Sequence, residues 1–199
     1  MNSIYIYGAS GHGLVVADIA KACGYQKVIY LDDGKDEYLS FSEVDKTTDI
    51  PLAFGIGSNR IRESLFKRVE KNGLNIVTLI HPSASVSSSV KIGRGTVIMP
   101  NVVINSNTII GKGVILNSAS VIEHENYIGD FVHISPNSSL AGDVSVKESS
   151  HIGIGATIIQ GITIGTNSII GAGSVVVKEI PEYVVAYGNP CKVVRKLDE

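Results

Sequence analysis

From Ile80 to Val176 an aliphatic side chain recurs at every sixth position, seventeen times without a slip: Ile80, Val86, Ile92, Ile98, Ile104, Ile110, Leu116, Ile122, Ile128, Ile134, Leu140, Val146, Ile152, Ile158, Ile164, Ile170 and Val176. Four residues after each one stands Ala, Ser, Thr or Val, except at Asn126, Ile162 and Ile180. Neither a helix, with its period of about 3.6 residues, nor an alternating strand repeats that way. A large and a small side chain at period six describe a coil filled by stacked aliphatics, with small residues tucked beside them. In nine hexads Gly or Asn precedes the small residue, as at Gly95, Asn101, Gly113 and Asn137, where a tight corner needs backbone angles that most residues resist. Three hexads make one triangular turn, so residues 80–181 should form between five and six coils of short parallel strands.

The first 79 residues follow a different rule. The apolar run from Ile4 to Tyr7 ends in Gly8-Ala9-Ser10-Gly11-His12-Gly13. Leu14, Val15, Val16, Ala17, Ile19 and Ala20 follow, a pattern suited to a buried helix. A second run from Val28 to Leu31 ends in Asp32-Asp33. After it come an acidic loop, a short strand ending near Gly55, a helix over about 60–72 and a strand over 76–80. Alternating strands and helices predict a small parallel sheet, an α/β unit of Rossmann type. The chain thus divides into a Rossmann-like domain over 1–79, the coil over 80–181 and a tail over 182–199.

Charge and hydropathy narrow the partners. Seventeen Lys and Arg against nineteen Asp and Glu give a net charge of −2, no surplus with which to neutralise a phosphate backbone, so nucleic acid is not expected. No window approaches the roughly 18 apolar residues of a membrane span, and the expectation is a cytoplasmic protein without membrane insertion. Cys23 and Cys191 have neither metal-binding nor redox spacing and read as ordinary reduced thiols.

The Gly-rich turn sets backbone N–H groups at a helix N-terminus, either as a seat for a phosphate or simply as a tight strand-to-helix turn. Its glycines fall as GxxGxG, and fewer than 80 residues leave room for one mononucleotide half, so a nucleotide sugar fits better than a dinucleotide. Asp32 and Asp33 stand at the carboxyl end of the second strand, where open α/β sheets place ligand-contacting groups. A solvated acidic turn is the plainer alternative. GASGHG, a strand ending in DD and the fused hexads together resemble the bacterial hexapeptide-repeat sugar acetyltransferases. These N-acetylate UDP-4-amino sugars of the bacillosamine type or, in a related branch, O-acetylate sialic acid.

The resemblance covers essentially the whole chain, including Tyr187-Gly188-Asn189-Pro190-Cys191-Lys192 near its end. It implies a left-handed parallel β-helix, a homotrimer with sites between subunits, and acetyl-CoA as co-substrate. On it, Ser10, Gly11, His12, Asp32, Asp33 and Gly57 hold the nucleotide sugar. His133, Ile154 and Ala172 match acetyl-CoA contacts, Ala172 standing where the family commonly has Gly, and Gly142 offers a backbone N–H to the thioester oxyanion. Lys192 and Arg195 read as solvated tail charges or as partners of the CoA phosphates.

His124 and Glu125 carry the expected chemistry. They share the corner of the hexad headed by Ile122, and Glu125 takes the position that is Gly or Asn in nine others. A carboxylate there gives up easy corner geometry, which points to a functional demand. Acetyl transfer needs an acceptor stripped of its proton; a neutral imidazole titrates in the right range, and a neighbouring carboxylate orients it. The family has a His-Glu pair at the matching place, which makes His124 the general base and Glu125 its orienting partner.

His133 and His151, eighteen residues apart, share a hexad position and should stack about 4.8 Å apart. Stacked histidines also serve zinc-dependent hydratases built on the same prism, but those need a third converging ligand, and His124 lies half a coil away, so no metal is expected. No cysteine is placed to form an acyl-enzyme. The expected reaction is direct transfer of acetyl from acetyl-CoA to the 4-amino group of a UDP-4-amino-4,6-dideoxy sugar, for surface glycan or glycoprotein assembly. O-acetylation of sialic acid, N-acetylation of another nucleotide amino sugar, a zinc-dependent hydratase on the same fold and a catalytically silent binding scaffold are the alternatives.

Overall fold

A computed structural model describes residues 2–198. Strand β1 (Ser3–Tyr7), helix α1 (Gly11–Ala22), strand β2 (Lys27–Leu31), strand β3 (Leu52–Phe54) and helix α2 (Asn59–Lys71) open the chain. The strands form a parallel sheet in the order β2-β1-β3. Central β1 is apolar on both faces because both are covered. Ile4 and Ile6 point toward Val16, Ala17, Ile19 and Ala20 of α1, whereas Tyr5 and Tyr7 join Phe66 and Val69 of α2 in a second cluster. The turn into α1 is as tight as its glycines suggest. A side chain at Gly13 would collide with the Gly8 carbonyl, and one at Gly55 would come within 2.6 Å of Gly13 Cα.

The expected strand over 76–80 does not form in this sheet. Ile76 makes one bridge to Leu52, through hydrogen bonds from Leu52 N–H to the Asn75 carbonyl and from Val77 N–H to the Leu52 carbonyl. The next residues are claimed by the coil, where Leu79–Ile80 pairs with Val97–Ile98.

Seventeen two-residue strands follow, each ending on one of the period-six aliphatics. The first fourteen each pair in parallel with the strand eighteen residues on, which builds three faces. The first carries Ile98, Leu116 and Ile134, the second Ile104 and Ile122, the third Ile110 and Ile128. From Ile98 onward every stacked aliphatic is at most 2% exposed, and each such burial stabilises by roughly 1.5–3 kcal/mol. The first coil is looser because no coil lies beneath it: Ile80 is 39% exposed. From Thr96 onward the small positions are buried too, and their hydroxyls are satisfied except that of Ser120. Thr96, Thr108, Ser138 and Ser150 each donate to the carbonyl fifteen residues on, in the next coil.

All nine Gly or Asn corners have positive φ, and so do Ala119, Glu125, Phe131, Asp143 and Ser149 in equivalent places. The coil dictates the left-handed corner whatever the residue, at a cost of roughly 1–2 kcal/mol for a side chain with a Cβ. Two of the five meet the N-terminal domain. Phe131 packs edge-on against Phe66 at 5.4 Å, and the Ser149 carbonyl accepts from Asn59 Nδ2. Nothing around Ala119 or Asp143 explains their choice. The domain thus sits on the corner between the third and first faces. The tail closes the first face with a hairpin, Val184–Gly188 against Cys191–Lys196.

Candidate active site

The six expected nucleotide-sugar residues meet at the carboxyl edge of the small sheet. Ser10, Gly11 and His12 follow β1, Asp32 and Asp33 follow β2, and Gly57 follows β3. Ser10 caps α1 by position, but its side chain makes no capping hydrogen bond, and nothing lies within 4 Å of where a side chain at Gly11 would project. The first N–H groups of α1 therefore remain open. Asp32 accepts from the N–H groups of Ala9 and Gly34, both at 3.0 Å, and so ties the Gly-rich turn to the loop after β2.

Asp33 accepts from the Tyr7 hydroxyl at 2.6 Å, from Phe41 N–H at 2.8 Å and from Arg68. Burial works to raise its pKa, but these donors together outweigh it and hold the carboxyl below the usual range. Burial, then the bond to Asp33, pushes the Tyr7 hydroxyl up. The two carboxylates flank a cavity of about 210 Å³ that Tyr7, Ile56 and Leu65 also line.

A larger groove, about 900 Å³, opens between the start of α2 and the first face, with Gly57, Asn59, His133, His151 and Ile169 among its walls. His133 and His151 stack as their spacing predicts, with ring centroids 4.7 Å apart and planes within 10°. His12 reaches across from α1 to 6.2 Å from His133, so both domains contribute to one histidine cluster. The Asn117 side-chain oxygen accepts from Ser118 N–H at 2.8 Å, which turns its amide nitrogen toward His133 Nε2 at 3.1 Å. His133 is therefore protonated on Nδ1 and accepts at Nε2.

Burial, then His151, Arg62 and His12, push the His133 pKa down to about 3. The Gly57 backbone offsets this slightly without completing a hydrogen bond, and Nδ1 is left without a partner. Burial and then Arg62 take His12 down to about 4, with its Nε2 unpartnered as well. The same two causes lower His151, whose Nε2 lies 2.8 Å from Ser135 Oγ. All three rings are neutral at physiological pH. Among the described residues no group of three or more His, Cys, Asp or Glu is arranged to hold a metal ion.

Ile154 and Ala172 lie away from that groove. They are exposed on the corner between the first and second faces, one coil apart. His124 stands on the third corner, between the second and third faces. Its Nδ1 is 3.0 Å from Glu125 Oε2, and both side chains are more than half exposed. Glu125 holds a φ of +61° to make this contact. The ring lies against Gly142 of the next coil, where a Cβ would come within 2.5 Å of Cε1 and 2.7 Å of Nε2. Among the described residues the Gly142 N–H meets no acceptor. His124 lines neither cavity.

Sequence reasoning misses Arg62, which is 1% exposed at the centre of the contact between domains. Its one signal is its place at the head of the α2 stripe Arg62, Phe66 and Val69, spaced i, i+4, i+7.

Known proteins are similar to this chain in sequence and fold. Residues 3–69 match the PglD N-terminal domain family, and residues 89–124 match the bacterial transferase hexapeptide family of six repeats. Among curated proteins, the UDP-N-acetylbacillosamine N-acetyltransferase of Bacillus subtilis (strain 168) is 38% identical over 110 residues, 49% of this chain and about half, 51%, of that protein. The acetyltransferase domain of PglB from Neisseria gonorrhoeae FA1090, in complex with acetyl coenzyme A, matches at 34% identity and a TM-score of 0.90, over 97% of this chain and 99% of that one. PerB from Caulobacter crescentus, in complex with CoA and GDP-perosamine, matches at 35% identity and a TM-score of 0.91 over 98% of each chain. Likeness of that extent, through the small sheet, the coil and the closing hairpin alike, means that the chain belongs to the bacterial hexapeptide-repeat sugar acetyltransferases with a PglD-type N-terminal domain.

Proposed function

We propose that the protein transfers acetyl from acetyl-CoA to the 4-amino group of a UDP-linked 4-amino-4,6-dideoxy sugar, in the cytoplasm, for bacterial surface glycan or glycoprotein assembly. The observation that carries this reading is the His124 ring, held between the Glu125 carboxylate and the bare backbone of Gly142. With Nδ1–H committed to Glu125, Nε2 is the base that takes the acceptor's proton. The amine lone pair attacks the thioester carbonyl carbon, and the free Gly142 N–H receives the oxygen that gains charge. The C–S bond then breaks, and the proton on Nε2 passes to the departing thiolate, which leaves an amide and CoA thiol. Cys23 donates its thiol to the Ile80 carbonyl and Cys191 is buried, so neither is the nucleophile.

Residues 1–79 hold the nucleotide sugar through Ser10, Gly11, His12, Asp32, Asp33 and Gly57. Residues 80–181 supply the base and, through His133, Ile154 and Ala172, the acetyl-CoA contacts; residues 182–199 close the coil. PerB in complex with CoA and GDP-perosamine, and the PglB domain with acetyl coenzyme A, support this pairing of ligands. His124 and the sheet edge occupy different corners of one coil, which supports a homotrimer in which His124 of one protomer meets the sheet edge of its neighbour.

Thiol release from acetyl-CoA, measured over UDP-amino sugars, GDP-amino sugars and free sialic acid, tests the reading. The expected outcome is an amide product from a UDP-4-amino sugar, at a rate a chelator does not change. Turnover of GDP sugars alone would correct the nucleotide, and turnover of sialic acid alone would replace N- with O-acetylation. No release from any of them would leave a hydratase, which bound zinc would favour, or a binding scaffold, which absence of acetyl-CoA binding would favour.

A further inference from the structure

An apolar residue would be the ordinary occupant of the first position in the buried stripe of α2. Arg62 stands there instead, 1% exposed, and among the described residues no acidic side chain pairs with it. Nε donates to the Gly113 carbonyl at 2.6 Å. One terminal nitrogen donates to the carbonyls of Ile56 at 3.0 Å and Gly57 at 3.1 Å, the other to the Phe131 carbonyl at 2.8 Å and to Asn59 Oδ1 at 2.9 Å. A buried cation without a counter-ion is costly, and a well-packed apolar side chain would avoid that cost. Burial brings its pKa down to about 9, so the guanidinium is still charged at neutral pH.

The acceptors divide between two domains. Ile56, Gly57 and Asn59 belong to the segment that leaves the small sheet, whereas Gly113 and Phe131 are corners of the coil. A guanidinium is a rigid planar fork, so five directed bonds fix the two sets against each other. The segment so held carries Gly57, and Gly57 lies against His12: a side chain there would reach 4.0 Å from its ring. His12 and His133, 6.2 Å apart, each bury a ring nitrogen that has no partner. Unpartnered nitrogens on two domains that meet at a groove are groups that a bound ligand would complete.

We propose, resting on the acetyltransferase reading above, that Arg62 is a positioning residue for the nucleotide sugar: it locks the Ile56–Asn59 segment to the Gly113 and Phe131 corners, so that His12 and Gly57 face the sugar in one fixed arrangement, whereas His133, the acetyl-CoA contact, is held within the coil by Asn117 and His151. Arg62 touches no substrate and acts through the groups it holds. Its charge also adds to burial in keeping His12, His133 and His151 neutral. The other charged groups facing the cluster are Arg60 and Glu63 of α2, Asp198 of the tail, and Lys112 above the Phe131 ring.

Three full-length variants test this. Arg62→Lys keeps the charge and loses the fork; Arg62→Met loses both. Asn59→Ala leaves Arg62 in place but removes one of its acceptors, together with the bonds from Asn59 to the Ser149 and Ser150 carbonyls. Steady-state kinetics give KM for each substrate, calorimetry gives the affinity for UDP and GDP without turnover, and NMR follows the imidazole titrations. Arg62→Lys is expected to raise the sugar KM about tenfold, the worth of one or two hydrogen bonds, and to leave the acetyl-CoA KM within about twofold. The His12 and His133 midpoints stay low in that variant and move up in Arg62→Met, because removing a cation favours the protonated ring.

Equal rises in both KM values, or midpoints that do not move in Arg62→Met, would overturn the proposal. If Arg62→Met does not fold, Asn59→Ala and Arg62→Lys decide: an unchanged sugar KM in both overturns it. A failure of the acetyltransferase reading has a different signature, since then the wild type turns over no sugar either. UDP affinity and the imidazole midpoints still test Arg62 in that event.

Discussion

The imidazole of His124 fills the space that a side chain at Gly142 would need, since a Cβ there would come within 2.5 Å of its Cε1. Gly142 is buried beneath the ring, and its own φ is not in the left-handed region, so alanine suits the backbone and strains only the histidine. Gly142→Ala is expected to displace the ring and lower kcat by about 100-fold, the usual effect of misplacing a catalytic group by an ångström. Both KM values should change little. Wild-type kcat in this variant would mean that the ring is not held here during turnover.

His124→Ala is expected to cost about 100-fold to 10,000-fold in kcat, the range for a general base. Glu125 offers a sharper contrast, because it supports the ring from a corner with φ of +61°. Asparagine tolerates that angle better, so Glu125→Asn should gain stability, up to about 1 kcal/mol, while kcat falls by less than in His124→Ala. Thermal melts beside kinetics check this. A variant that melts lower and keeps full kcat would make Glu125 a structural residue.

If each site joins two protomers, inactive chains can repair each other. Protomers with His124→Ala, refolded with protomers carrying Asp32→Ala and Asp33→Ala, should recover about a quarter or more of wild-type activity in mixed trimers. Each variant alone stays inactive. Mixtures no more active than their components would place the complete site within one chain.

His12 and His133 titrate near 4 and 3 in the folded protein and near 6.5 when unfolded. Below about pH 6.5 the unfolded chain binds protons that the folded one refuses, so stability is complete above that pH and falls as the pH drops toward the folded values. Between about pH 6.5 and pH 5 most carboxylates are still ionised, which isolates the histidine contribution. Calorimetric Tm should fall through that interval, and His133→Leu should flatten the slope. A flat wild-type profile would contradict the burial of these rings.

Much of this was readable from residue types and spacing. Period six located every rung, and the same count predicted the stack of His133 on His151. The Gly-rich turn, Asp32-Asp33 and Gly57 come together at one sheet edge because each follows a parallel strand. The strand over 76–80 failed because the coil competes for Leu79 and Ile80, a choice no local pattern records. Glu125 looked singular among its corners, yet Phe131 and Ser149 bear the same backbone angle for contacts with α2. Arg62 was hidden among Arg60, Glu63, Lys67 and Arg68, charges of the same helix, none of them buried as it is. Which corner the N-terminal domain occupies depends on Phe66 meeting Phe131, a contact between residues 65 positions apart that periodicity does not encode.

The eighteen-residue register between rungs makes length a quantised property of this coil. Inserting one residue would turn every later aliphatic out of the stack, and the hydroxyls of Thr96, Thr108, Ser138 and Ser150 would lose their carbonyls in the next coil. Inserting eighteen disturbs none of these pairings and adds a whole storey. Relatives of different height are therefore expected to differ by complete coils, gained or lost by duplication and deletion of triple hexads, while point insertions collect at the corners and in the N-terminal loops.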